Sequence, residues 1–196
     1  QLLASGCVGP EYHERSRPRC VEADGVNHLC AFAELTGAHV YIVHTSCQAA
    51  VDRAMAARDR GVHVFVEAVA PHLVLDKTHA EQSDFEGAKF VMSPPLRDAE
   101  EQGHLWKSIA CGEIVTIGTD HAPFNFDGQK DMGRDAFTQI PNGIPGIQER
   151  IDLIHTYGVC AGHINLQMMV DVCSTQPARI FGMYPKKGQI APGSDA

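Results

Sequence analysis

The chain has 196 residues, 44% of them hydrophobic and 20% charged, which is enough for one domain with its own core and an ordinary soluble composition. A net charge of −8 with histidine neutral argues against a nucleic-acid backbone as the main partner, because such binding needs a cationic surface. No apolar run nears the roughly 20 residues of a membrane helix, and the opening Gln1–Gly6 lacks the basic region and apolar stretch of a secretion signal.

Residues 8–19 are polar, hold Pro10 and Pro18, and read as a loop that keeps Arg15, Arg17 and Arg19 in solvent. Residues 20–36 place apolar side chains at helical spacing, and Gly37 is a plausible stop. His39–His44 is β-branched and aromatic, hence a buried strand. The alanine-rich stretch 47–60 predicts a helix ended by Gly61, and Val62–Glu67 a second strand. A helix over 98–111 leads into a third strand, Ile114–Thr119. Residues 121–145 form a long loop containing Gly and Pro, and a loop of that size is uncommon unless it is functional. Helices are expected at 146–157, 165–173 and 176–182, the second with Met168 and Met169 facing the core. Strands that alternate with helices predict an α/β fold with a parallel sheet. Three strands cannot close an eight-stranded barrel, which needs about 250 residues.

Seven cysteines, Cys7, Cys20, Cys30, Cys47, Cys111, Cys160 and Cys173, are scattered and form no CxxC. They read as reduced thiols of a cytoplasmic protein rather than as a zinc site.

Two strands run into groups that can bind metal, the first at His44 and the third at Asp120. In parallel α/β architectures ligands gather beyond the carboxyl ends of strands, and imidazole and carboxylate are both zinc donors. On spacing alone, a hydrogen-bonded structural histidine and a turn-forming aspartate are the commoner readings. His121 reads either as a partner of Asp120 or as a loop residue, and Lys130 and Arg134 as solvated loop residues.

Five segments narrow the choice: residues 41–46 (YIVHTS), 91–97 (VMSPPLR), 118–124 (GTDHAPF), 140–143 (IPNG) and 180–195 (IFGMYPKKGQIAPGSD). In this order and at these separations they resemble the dihydropyrimidinase and D-hydantoinase family of the amidohydrolase superfamily, and the likeness runs along the whole chain. The resemblance implies a (β/α)8 barrel with two divalent metals, usually zinc, in a cytoplasmic homotetramer that acts on a small cyclic amide. It implies that His44 ligates one metal, that Asp120 ligates the other and handles protons, and that Ser93 and Asn142 hold the ring largely through backbone groups. The family's His-x-His pair, carboxylated lysine and further histidine have no counterpart here and are expected before residue 1. Residues 1–183 would then be the C-terminal part of the barrel, and 184–196 the start of the return to a small β-sandwich. The stretch 67–72 (EAVAPH) faintly resembles a segment of allantoinases that ends in His, and IPNG favours the hydantoinase branch. A non-catalytic scaffold of the same fold is the alternative outside enzymes, and the presence of both His44 and Asp120 weighs against it.

Overall fold

The computed structural model describes residues 1–195. Ala196, the last residue of the expected return segment, lies outside the described residues. Two short 3-10 turns, Pro10–Tyr12 and Glu14–Ser16, bring the N-terminal loop to helix α1, Arg19–Thr36. On α1, Ala23, Val26, Cys30 and Ala33 recur at helical spacing and are buried, and Gly37 ends the helix at φ 70° with its N–H on the Ala33 carbonyl. Strand β1 is Val40–Ile42, helix α2 Gln48–Asp59, and strand β2 Val64–Val69. The inner face of α2 is Ala50, Val51, Ala54 and Ala57, small side chains that let α1 and the sheet pack closely.

A short helix α3, Ala70–Val74, follows β2 directly. Helix α4, Ala99–Ala110, buries Leu105, Trp106 and Ile109, and leads to strand β3, Thr116–Gly118. The sheet order is β1-β2-β3, parallel throughout. Val40 pairs with Val64 and Ile42 with Val66 on one side of β2, and Glu67 pairs with Thr116 and Val69 with Gly118 on the other. One face of the sheet (Val40, Ile42, Val64, Val66, Ala68, Ile117) joins the main core beneath the helices. The opposite face carries a polar triad, in which the Tyr41 hydroxyl meets Glu67 Oε2 at 2.8 Å and Thr116 Oγ1 at 2.7 Å.

Several boundaries differ from the sequence reading. Strand β1 is shorter than His39–His44, because His44 turns to φ 41° and leaves the ladder. Strand β2 runs on to Val69, because Ala68 and Val69 pair with Ile117 and Gly118. The helix expected at 146–157 is α5, Arg150–Leu153, continuing as a π-helix over Ile154–Cys160. Helix α6, Leu166–Val170, likewise continues as a π-helix to Thr175 before α7, Gln176–Ile180. Met169 is buried and Met168 packs at the edge of the core, as read from the sequence. Residues 184–195 form turns and bends. All seven cysteines are free, and no described helix is long and apolar enough to cross a membrane.

Candidate active site

Each outer strand delivers a residue of interest two positions past its last paired residue. His44 follows β1 and Asp120 follows β3, so both lie at the carboxyl edge of the sheet. Both adopt left-handed backbone, φ 41° at His44 and φ 48° at Asp120. That conformation is uncommon for non-glycine residues and, when it persists, marks sites where surrounding structure over-determines the chain. At His44 the constraint is visible. Its N–H donates to Glu67 Oε1 at 3.2 Å, and the next N–H, of Thr45, donates to the Glu67 carbonyl at 2.8 Å. Glu67 thus ties the end of β1 to β2, and the Tyr41 hydroxyl holds its carboxylate.

Because β2 lies between β1 and β3, two strand spacings, about 10 Å, separate the two strand ends. His44 and Asp120 therefore lie on one edge of the sheet with the end of β2 between them. Among the described residues His44 Nδ1 is buried and has no hydrogen-bond partner. Asp120 is exposed. As donors these two fit a divalent metal site as contributors. Among the described residues, no group of three or more His, Cys, Asp or Glu side chains could hold a metal by itself.

Ser93 and Asn142, 49 residues apart, meet directly, the Ser93 hydroxyl donating to Asn142 Oδ1 at 3.1 Å. His44 and Ser93 also line one open cleft of about 320 Å³, with Arg17, Glu22, Pro94 and Arg97 around them. So the structure brings Ser93 to both Asn142 and His44, while Asp120 joins from the far side of β2.

The segment bearing Ser93 is held at almost every residue. Val91 O accepts the Gly143 N–H at 3.0 Å. Met92 O accepts from His13 Nε2 at 2.7 Å and Pro94 O from His72 Nε2 at 3.0 Å. Burial lowers the pKa of each of these histidines to about 4, so both are neutral Nε2–H donors at pH 7. Arg97 is buried and donates to Ser46 Oγ at 2.9 Å, Glu22 Oε2 at 2.9 Å, Glu14 Oε1 at 3.2 Å and Arg17 O at 2.6 Å.

Two sequence readings change, those of Lys130 and Arg17. Lys130 is not solvated: it is 2% exposed, and its ammonium donates to the carbonyls of Val91, Pro141 and Gly143. Burial lowers its pKa to about 8. Arg17 is half-buried and donates to His13 Nδ1 at 3.2 Å, and Arg19 pairs with Glu101 at 2.6 Å. Arg134 is exposed, as read from the sequence, and lies over the Phe85 ring at 4.9 Å. His121 accepts the Gly146 and Ile147 N–H groups on Nδ1 at 3.0 and 3.3 Å, which closes the 121–145 loop onto the end of β3. Glu67 and His13 escaped the sequence reading and Lys130 was misread, since each acts on backbone atoms far away in sequence.

Comparison with known proteins finds relatives along the whole chain. The D-hydantoinase of Geobacillus stearothermophilus is 43% identical over all 196 residues, which correspond to 42% of its length. The dihydropyrimidinase of Brevibacillus agri superposes on the whole chain with a TM-score of 0.98 at 47% identity, again over 42% of that chain. The chain is related, from end to end, to the D-hydantoinases and dihydropyrimidinases. A D-hydantoinase (dihydropyrimidinase) structure from Thermus sp. gives a TM-score of 0.96 at 52% identity, covering 42% of that chain. The chain thus spans about two fifths of the length of these relatives. No family model matches the sequence.

Proposed function

We propose that this chain is the C-terminal part of a metal-dependent hydrolase that opens cyclic amides, dihydropyrimidines or 5-substituted hydantoins. The observation that carries this reading is the end-to-end likeness to D-hydantoinases at 43% identity. The geometry agrees with it, through two metal-binding residue types in left-handed backbone at one sheet edge and an unpartnered nitrogen on His44. In this reading residues 1–183 contribute the last strands and helices of a (β/α)8 barrel, and 184–196 begin the return to a β-sandwich. The polar face with Tyr41, Glu67 and Thr116 then looks into the barrel. The whole protein is a cytoplasmic homo-oligomer.

His44 would hold one zinc and Asp120 the other. A bound metal pair supplies water that is nucleophilic near neutral pH and a polarised carbonyl. Asp120 takes a proton from the attacking water and passes it to the ring nitrogen as the C–N bond breaks, acting as base and then as acid. Backbone groups at Ser93 and Asn142 orient the planar ring, whose amide edges present donors and acceptors at fixed geometry. Glu67 keeps His44 aimed, by fixing the backbone on both sides of its Cα.

The test is ring opening of dihydrouracil and of 5-substituted hydantoins by the longer protein carrying this segment. Activity should be lost on chelation and return with zinc. A metal-replete protein that opens neither ring class would overturn the proposal.

A further inference from the structure

Lys130 occupies an unusual position for a lysine. Its side chain is 2% exposed, and its three N–H donors go to three backbone carbonyls, Val91 O at 2.8 Å, Pro141 O at 2.7 Å and Gly143 O at 2.9 Å. Among the described residues its ammonium forms no ion pair with a carboxylate, and the Phe124 ring lies 5.6 Å from Nζ. Burying an ammonium is expensive, and an apolar side chain of equal length would fill the same space. What only the ammonium supplies is three converging donors.

Those acceptors belong to two segments about 50 residues apart. Val91 stands two residues before Ser93, and Pro141 and Gly143 flank Asn142. The segments touch at two further points, Gly143 N–H to Val91 O behind and Ser93 Oγ to Asn142 Oδ1 in front. Gly143 sits at φ 154°, and a Cβ there would meet the Ala122 carbonyl at 2.3 Å, so this joint has no room for a side chain.

We infer that Lys130 is a positioning residue, a clamp that fixes the spacing between the Ser93 and Asn142 backbones and thereby sets the affinity for a planar cyclic imide. The inference rests on the functional reading above. It assigns Lys130 no contact with substrate and no role in proton transfer.

The experiment compares wild type with Lys130→Met, which keeps an apolar stem up to the ε position and removes all donors, and Lys130→Gln, which keeps two. Three quantities are measured in the longer protein: KM and kcat for a hydantoin, bound zinc, and amide hydrogen exchange over residues 91–95 and 140–143. Lys130→Met should raise KM roughly tenfold or more, as expected when positioning hydrogen bonds are lost. Bound zinc should stay unchanged and kcat should change less than KM, with Lys130→Gln in between. Exchange should quicken in the two segments and not elsewhere. If Lys130→Met does not fold, Lys130→Gln carries the comparison. An unchanged KM in a folded variant overturns the inference, and so does an equal loss of kcat, KM and zinc. If wild type opens no ring, the functional reading fails. Exchange alone then decides the clamp: selective quickening in both segments upholds it, and uniform or absent change removes it.

Discussion

His13 shows how a single side chain can support the site while touching none of its chemistry. It is 3% exposed, neutral, and donates to the Met92 carbonyl next to Ser93. Its pKa is 6.5 unperturbed and about 4 when folded, so the unfolded chain binds the proton first as pH falls. Its contribution is complete above pH 6.5, declines from there to about pH 4, and amounts to about 2 kcal/mol lost by pH 5. Urea unfolding of wild type and His13→Asn at pH 7 and pH 5 should show that much less pH dependence in the variant; parallel pH profiles would remove His13 from the linkage. Legibility at this scale divides by mechanism. The places of His44 and Asp120 at strand ends were legible because both follow β-branched runs. Lys130 was not, because a lysine between Gln129 and Asp131 in a polar loop reads as solvated. Its burial depends on carbonyls at residues 91, 141 and 143, which carry no sequence signal.

At the scale of elements, Arg97 does for its segment what a strand ladder does for β1. Its guanidinium joins residues 91–97 to α1 through Glu22, to the N-terminal loop through Glu14 and Arg17, and to the start of α2 through Ser46. Arg97→Met would leave Glu14 and Glu22 as partly buried carboxylates without their cation. The expected loss is about 3–5 kcal/mol, the usual cost of breaking a buried pair from one side, read as a fall in the denaturant midpoint. A change under about 0.5 kcal/mol would show that the cluster relaxes into solvent. Element types and order in the strand–helix–strand region were legible from periodicity. Their ends were not, because positive φ at His44 and two extra ladder pairs at Ala68 and Val69 are tertiary facts. The π-helical stretches after α5 and α6 also lay beyond a reading based on 3.6-residue spacing.

At the scale of the whole molecule, three parallel strands with a half-buried polar face offer two potential metal donors at one edge. Catalytic zinc usually takes three protein ligands. The isolated 196-residue chain should therefore bind zinc weakly and hydrolyse no hydantoin, as checked by metal analysis and a ring-opening assay; robust turnover by that chain would contradict the division of ligands proposed here. The most direct test of the site itself is Asp120→Asn in the longer protein, with ring opening, bound metal and melting temperature measured beside Ser93→Ala. The account expects Asp120→Asn to stay folded, lose part of its metal and slow by at least about 10²–10⁴-fold, the range typical of general acid–base help, while Ser93→Ala changes little because its backbone makes the contact. A folded Asp120→Asn protein with near-normal turnover would contradict it.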